Sequence, residues 1–295
     1  MTGANKGFLL LTSHLGNLDR PVLTVPQFRE LTKRVKASDR AAADRDLTAE
    51  DLIGLGYSSE NAARILTLLS QEEILEHYLR RAATADCTVL TRADKAYPIH
   101  LRNKLGIDSP GCLWLKGDAT LLNQKAVAVV GSRELRSANR FFAEEAGRQA
   151  AAQGYVLISG NARGTDKTAQ DACLEAGGCV IVVVADSLQK HRLRERVLYI
   201  SEDCFDAPFS SYRALSRNRV IHAMGSAVIV AQSSLQTGGT WRGSVENLEK
   251  SWNPLICYND GSPAADELIY RGAVGVSVAQ LNDFPLLTEQ PLKFF

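Results

Sequence analysis

Two glycine-containing segments carry serine and arginine at spacings that suit the binding of a phosphate group. Residues 131–133 read Gly-Ser-Arg, and residues 159–166 read Ser-Gly-Asn-Ala-Arg-Gly-Thr-Asp. Glycine lets the backbone approach an anion closely, serine offers a hydroxyl and an N–H group, and a guanidinium pairs with two phosphate oxygens. The candidate phosphate-binding residues in these segments are Gly131, Ser132, Arg133, Ser159, Gly160, Arg163, Gly164 and Asp166. Thr165 or Asp166 could also cap a helix that begins there.

A purely structural explanation exists for each turn taken alone. Glycine at a strand-to-helix turn is often needed only for a left-handed backbone conformation, and an arginine beside it is usually solvated. Two adjacent turns that both contain serine and arginine favour an anion site over that explanation. Neither segment matches the GxGxxG pattern of dinucleotide sites or the GxxxxGK[ST] pattern of triphosphate sites, so no cofactor is predicted.

A third segment, Arg217-Asn218-Arg219, adds three candidate residues. It is predicted to lie at the start of a helix, where two guanidinium groups beside the helix N-terminus could hold a phosphate. The alternative is that these arginines form structural ion pairs with carboxylates such as Glu202 or Asp206.

The candidate residues follow short apolar runs that alternate with helical patterns. The runs are Ala126–Val130, Tyr155–Ile158, Cys179–Val184, Ala227–Val230 and Leu255–Cys257. The helical patterns cover residues 137–153, 165–176, 212–224 and 242–251. Strands that are apolar throughout are typical of a parallel sheet with helices on both faces. We predict a doubly wound α/β domain at about residues 120–280, with the ligand outside the carboxyl ends of the strands near the topological switch point.

The preceding residues predict a small helical domain, 1–85, and a connecting extension, 86–119, while 281–295 form a C-terminal tail. Helix starts are predicted by three N-cap pairs, Thr24 with Gln27, Thr48 with Asp51, and Ser70 with Glu73. The Gly-Leu-Gly turn within residues 52–56 has the character of a helix-hairpin-helix turn that binds a DNA phosphate, although a tight turn between helices is the more frequent explanation.

Composition narrows the class of protein. The chain has 295 residues, 45% of them apolar, with a net charge of +1, so nucleic-acid binding would need a local basic surface. No apolar stretch approaches the roughly 20 residues that span a bilayer, and we expect a cytoplasmic protein that does not associate with membranes.

The six cysteines and five histidines lack the spacing of a disulfide framework or a metal site. No Ser-His-Asp arrangement or carboxylate cluster is evident, so we expect a binding protein and no enzyme.

The order of these motifs resembles the DNA-processing protein A (DprA/Smf) family. The resemblance rests on six segments in chain order, namely 127–133, 157–166, 177–181, 216–221, 227–230 and 268–273. It implies a Rossmann-like core that binds single-stranded DNA without sequence preference, protects incoming strands and assists loading of the RecA recombinase in natural transformation. It also implies a head-to-head homodimer. Many members append a winged helix, and we expect a divergent member without one.

Several positions depart from the family pattern. Thr165-Asp166 and Ala169-Gln170 replace the usual residues, and 186–200 lacks a tyrosine-proline element, so its basic residues form either a solvated helix face or a DNA contact. Residues 237–244 replace a further family motif, and Gly238, Gly239 and Thr240 there complete the candidate DNA- or phosphate-binding residues.

An alternative function comes from the related lysine-decarboxylase-like (LOG) group. Those proteins hydrolyse nucleoside monophosphates with a Pro-Gly-Gly-x-Gly-Thr-x-x-Glu motif, which Gly238, Gly239 and Glu246 match poorly. A surface glutamate on an amphipathic helix is usually solvated. The alternative function is thus either a nucleotide hydrolase of this type, despite the poor match, or a nucleotide-binding sensor, for example in phage defence.

Overall fold

The computed structural model describes residues 3–42, 46–202 and 204–285, which form one sheet covered by helices. The strands are β1 Thr88–Thr91, β2 Cys112–Gly117, β3 Ala126–Val130, β4 Val156–Ser159, β5 Val180–Val183, β6 Val197–Ser201, β7 Val228–Val230, β8 Leu255–Tyr258 and β9 Val274–Val276. The helices are α1 Gly3–Thr12, α2 Val25–Lys36, α3 Ala49–Gly54, α4 Ser59–Leu69, α5 Glu72–Thr84, α6 Ile99–Leu105, α7 Ser137–Ala152, α8 Thr165–Glu175, α9 Ser211–Met224, α10 Gly238–Lys250 and α11 Pro263–Tyr270.

The strand order is β1-β2-β6-β5-β4-β3-β7-β8-β9. From β6 to β9 all neighbours are parallel, whereas β1 and β2 add an antiparallel edge. The chain runs outward from β3 through β4, β5 and β6 and then returns to the other side of β3 with β7. This reversal is the topological switch point of a doubly wound fold. The predicted α/β class with a mainly parallel sheet is confirmed.

Both faces of the sheet are buried because successive side chains of a strand point to opposite faces. In β3, Val127 and Val129 join Phe142 of α7 and Ala169 of α8 in one core. Ala128 and Val130 of the same strand join a second core with α9, α10 and α11. This two-sided burial explains why β3 reads as an uninterrupted apolar run.

The sheet contains strands that the apolar runs did not predict. Residues 88–91 and 112–117, assigned to a connecting extension, form β1 and β2, and 197–201 in the segment with interspersed basic residues form β6. Half-exposed edge strands such as β1 lack a continuous apolar signature. Strand β6 is fully buried, but it directly follows a charged segment that masks it in the sequence.

The five N-terminal helices pack partly on their own and partly on the sheet. Capping boxes at Thr24 and Thr48 start α2 and α3, as predicted. Ser70 is instead the residue that ends α4, and α5 begins after Gln71 without a side-chain cap. The glycine turn between α3 and α4 lies against α2, where Arg34 Nη1 donates a hydrogen bond to the Leu55 carbonyl at 2.9 Å. Among the described residues, no helix is long and apolar enough to cross a membrane.

Candidate functional site

A cleft opens at the topological switch point, outside the carboxyl ends of β3, β4 and β7. Its volume is about 580 Å³. We call it the switch-point cleft. The predicted residues that line it are Gly131, Ser132, Arg133, Arg163, Asp166, Arg217, Asn218, Gly238, Gly239 and Thr240. Because parallel strands present all their carboxyl ends at one edge, segments far apart in sequence meet there.

Four predicted residues occupy other places. Gly160 lines a smaller adjoining cavity of about 260 Å³ that shares Arg133, Arg163 and Arg217 with the switch-point cleft. Ser159 is buried, and its hydroxyl accepts a hydrogen bond from Gln170 Nε2 at 3.2 Å. Arg219 donates to Ser216 Oγ at 3.3 Å and lines neither cavity. Gly164 lines neither cavity and packs against the Ser132 and Arg133 carbonyls.

Gly131, Gly160 and Gly164 are required for close packing. A Cβ atom on Gly131 would lie 2.2 Å from Thr165 Oγ1, and one on Gly160 would lie 2.0 Å from Arg217 Nη1. Gly164 has a φ of +77°, and a Cβ there would lie 2.5 Å from the Ser132 carbonyl oxygen. Their primary role is therefore to let the β3 turn, the start of α8 and the Arg217 guanidinium meet.

Arg217 is a buried arginine in the middle of α9, which corrects its predicted position at a helix start. The helix already begins at Ser211, because the Ser210 hydroxyl caps it seven residues upstream of Arg217. Arg217 Nη1 donates a hydrogen bond to the Val183 carbonyl at 2.5 Å, and its Nε has no partner within the described residues. Burial lowers the pKa of Arg217, and the charge of Asp166 opposes that shift.

Asp166 is the buried carboxylate beside Arg217. Its Oδ2 accepts a hydrogen bond from the Ala162 backbone N–H at 3.1 Å, so it holds the turn after β4. Burial raises the pKa of Asp166, opposed by the charge of Arg217 and by these backbone bonds. Asp166 therefore organises the arginine-bearing turn. It does not cap α8, which begins at Thr165 after the N-cap residue Gly164 and has no side-chain cap.

The ion pairs that the sequence offered as an alternative for the Arg-Asn-Arg segment are not formed. Neither Arg217 nor Arg219 makes an ion pair among the described residues, and the Asp206 carboxylate instead bonds Arg81 and Tyr78. Asn218 Nδ2 donates to the Gly239 carbonyl at 3.4 Å and joins α9 to the start of α10.

Arg133 and Arg163 are exposed and unpaired. Neither side chain forms a hydrogen bond or an ion pair within the part of the chain that the structure describes, and both line the switch-point cleft and its smaller neighbour. Ser132 differs from its predicted role, because its backbone N–H and hydroxyl both donate to the Gln232 carbonyl at the end of β7. The two arginines are thus the accessible cations of the two glycine segments.

The first turn of α10 adds backbone donors. This helix starts at Gly238, four residues before the predicted start, with Gly238 at a φ of +82° and no side-chain cap from Thr237. The first N–H groups of a helix lack intrahelical acceptors and carry partial positive charge. Gly238, Gly239 and Thr240 all line the cleft, so this helix end complements the two arginines.

Apolar side chains at the rim were not predicted. Phe209 lines both cavities and is 57% exposed, Leu215 also lines the cleft, and Tyr212 nearby is 78% exposed. All three belong to the start of α9 or to the residues just before it. The sequence signal that could have pointed to them is the pair of aromatic residues, Phe209 and Tyr212, on either side of the Ser210 helix cap.

His222 also lines the cleft and was not a candidate. Its ring is buried against Gly243 of α10, its Nδ1 has no hydrogen-bond partner among the described atoms, and burial lowers its pKa to about 4. The imidazole is therefore neutral near pH 7. Glu246, the residue that the hydrolase alternative requires, is not among the residues that line the cleft.

Sheet topology and cleft position together define a Rossmann-like, doubly wound α/β protein. A model of the family described as DNA recombination-mediator protein A matches residues 88–244, more than half of the chain. The chain belongs to this family.

Individual relatives agree with the family assignment. Protein Smf of Escherichia coli is 32% identical over 188 residues, which cover 58% of this chain and 49% of that protein. DNA processing protein DprA of Bacillus subtilis is 27% identical over 157 residues, 50% of this chain and 52% of that protein. The chain thus spans about half the length of these curated relatives.

Solved structures share the fold. The crystal structure of DprA from Streptococcus pneumoniae matches with a TM-score of 0.68 at 23% identity, over 92% of this chain and 99% of that one. DprA from Helicobacter pylori, a structure described as showing a single-stranded DNA binding mode, matches with a TM-score of 0.57 at 24% identity, over 68% of this chain and 95% of that one.

Proposed function

We propose that the protein binds single-stranded DNA at the switch-point cleft and acts as a recombination mediator. The observation that carries the proposal is the pair of exposed, unpaired guanidinium groups of Arg133 and Arg163 beside the first turn of α10. Two cations and a helix N-terminus attract phosphates, and arginine binds two phosphate oxygens at once.

The apolar rim favours single strands over duplexes. Phe209 and Tyr212 offer exposed rings close to the arginines, and every unpaired base has a face that can stack on an aromatic ring. In a duplex those faces are covered. Stacking is tolerant of sequence, so binding without base preference is expected.

Family membership supports the wider role. We infer that the protein protects incoming single strands and assists RecA loading during natural transformation, as a homodimer, and that it does so without catalysis. The domain limits predicted from the sequence, a helical domain at 1–85 and a core at about 120–280, are part of this proposal, with β1 and β2 of the connecting extension added to the core sheet.

Binding to fluorescently labelled oligo-dT tests the proposal. Arg133→Ala and Arg163→Ala are each expected to weaken binding by roughly tenfold, and the salt dependence is expected to become shallower by about 0.7 in log–log slope per lost phosphate contact. Lys250→Ala, an exposed position at the far end of α10, is the matched control and leaves binding unchanged.

Duplex DNA and a panel of nucleoside monophosphates are measured beside oligo-dT. Weaker binding to the duplex is the expected result. Tight mononucleotide binding with release of the base, and no oligonucleotide binding, would overturn the proposal in favour of a hydrolase.

A further inference from the structure

A second, larger groove lies between the N-terminal helices and the antiparallel edge of the sheet. Its volume is about 1200 Å³. One wall is α2, and the other is formed by the residues after β1, the start of β2 and α6. We call it the α2 groove. None of its lining residues belongs to the candidate site described above.

The α2 groove is lined by a concentration of positive charge. The lining cations are Arg29, Lys33, Lys36, Arg92 and Arg102, and Glu202 is the carboxylate among the lining residues. Arg29, Lys33 and Lys36 lie at i, i+4 and i+7 on one face of α2, are exposed, and form no ion pair within the described residues. Although the net charge of the chain is only +1, several of its cationic side chains are therefore concentrated at this groove.

The opposite wall holds two arginines that face the same space. Arg102 donates a hydrogen bond to the Arg92 carbonyl, and Arg92 Nη2 donates to the Gly106 carbonyl at 3.1 Å. Arg29, Arg92 and Arg102 come from three different parts of the chain and line the same groove. Burial lowers the pKa of Arg92; Tyr97 opposes that shift, and the nearby charges of Arg102 and Arg29 add to it. Among the described residues, five cations line the groove beside the single lining carboxylate of Glu202, and like charges held close together are stabilised by a bound anion.

Unsatisfied polar atoms point to the same conclusion. Arg102 Nε and His14 Nδ1 are buried and have no hydrogen-bond partner among the described atoms, and both residues line the groove. The rings of Phe8 and Phe28 line it as well and meet edge to face with centroids 4.8 Å apart. Cations beside aromatic rings are the combination that binds unpaired nucleotides.

The α2 groove lies at the same end of the strands as the switch-point cleft, the end at which the parallel strands have their carboxyl termini. β2 is antiparallel to β6, so its first residue, Cys112, lies beside the carboxyl end of β6, and Arg92 follows the end of β1 at the same edge. From β3 the order runs β4, β5, β6, β2. Neighbouring strands lie about 4.8 Å apart, so β3 and β2 are separated by roughly 19 Å. About six nucleotides of a helical single strand, at a spacing of ~3.4 Å, cover this distance, and an extended strand covers it with fewer.

The segment between the two sites is suited to carry a strand. Arg213 anchors the start of α9 over the ends of β5 and β6, through hydrogen bonds to the Ala185 carbonyl and Ser201 Oγ at 3.0 Å each. Phe209 and Tyr212 are exposed on this segment. A strand that leaves the cleft across them would run toward the carboxyl end of β6, which the α2 groove adjoins.

We propose that the α2 groove is a second binding segment for the same DNA strand, engaged only by strands long enough to reach it from the switch-point cleft. This inference rests on the proposed function. It assigns to the helical region a part in DNA binding through the basic face of α2 and not through the glycine turn between α3 and α4.

Oligo-dT of about 3 nucleotides, too short to span both sites, and oligo-dT of about 16 nucleotides, a length at the upper end of single-strand binding sites, test the proposal by fluorescence anisotropy. The triple variant Arg29→Ala, Lys33→Ala and Lys36→Ala is expected to bind the long strand on the order of tenfold more weakly and to reduce its log–log salt slope by about 2. Binding of the short strand stays within about twofold of the wild type, because it is held in the cleft alone.

The charge-matched control removes three exposed cations away from both sites, Arg80, Lys125 and Lys250, and should leave both lengths unaffected. Equal loss for both lengths, equal loss in the control, or no loss for the long strand each overturns the groove proposal. In the last case an acidic polypeptide becomes the occupant to test. If neither oligonucleotide binds the wild type, the proposed function itself fails, and the two failures are thereby distinguished.

Discussion

At the scale of single residues, Arg217 shows how a buried charge can serve an exposed site. Its guanidinium is held by one carbonyl, that of Val183, and only the missing side chain of Gly160 makes room for it. A charge fixed in this way contributes positive potential to the cleft without loss of side-chain entropy on binding. Arg133 and Arg163 then supply the direct contacts.

Gly160→Ala tests this arrangement. The added methyl would displace the guanidinium and break its bond to Val183, with an expected loss of about 1–3 kcal/mol in the free energy of unfolding and a weaker affinity for oligo-dT. Gly54→Ala in α3, where an added Cβ meets no atom within 4 Å, is the control and should be neutral or slightly stabilising. Chemical denaturation measures both, and equal stability of the two variants would contradict the explanation.

At the scale of elements, the contact between α9 and α10 shapes one wall of the cleft. Asn218 joins the two helices at the cleft, and His222 packs on Gly243 one turn further along. A neutral imidazole is favoured there because burial penalises its charged form. Protonation of His222 would therefore place an unpaired charge inside the contact between α9 and α10.

This contact should weaken in acid. The pKa of His222 is about 4 in the folded protein and about 6.5 when unfolded, so its contribution is complete above about pH 6.5 and is lost as the pH falls toward 4. Urea unfolding at pH 7 and pH 4.5 should show wild type losing about 2 kcal/mol more than His222→Gln, which has no titrating ring. Parallel losses in the two proteins would show that other groups account for the acid sensitivity.

At the scale of the whole molecule, the N-terminal helices are built into the main core. Tyr78 of α5 packs edge to face on Trp114 of β2, with ring centroids 5.4 Å apart, and against Phe205, while its hydroxyl donates to Asp206 at 2.5 Å. Leu9 and Leu75 are buried in the same cluster. We therefore expect the helical region and the sheet to unfold together.

Thermal unfolding followed by circular dichroism should show one transition. Tyr78→Ala is expected to lower the free energy of unfolding by about 3–5 kcal/mol and to leave a single transition. Tyr78→Phe removes only the hydroxyl and should lower the free energy of unfolding by about 1 kcal/mol. Two separate transitions, with only the first shifted by Tyr78→Ala, would show that the helical region is an independent domain.

Local pattern was enough to determine five parallel strands, β3, β4, β5, β7 and β8, as well as most helices and the meeting of the glycine segments at the carboxyl ends of these strands. Continuous apolar runs report burial on both faces, and parallel strands bring their carboxyl ends together, so Arg133 and Arg163 could be placed side by side from the sequence. The capping boxes at Thr24 and Thr48 were equally readable because their bonds span only three residues.

Tertiary structure alone decided which of those residues are accessible. The Ser132 hydroxyl bonds the Gln232 carbonyl, the Arg217 guanidinium is buried against Gly160, and Arg29 lies near Arg92 only because α2 and the residues after β1 line the same groove. Each of these outcomes depends on a contact between residues distant in the chain. Local sequence carries propensity and periodicity, but burial and charge clustering arise only when separate elements pack together.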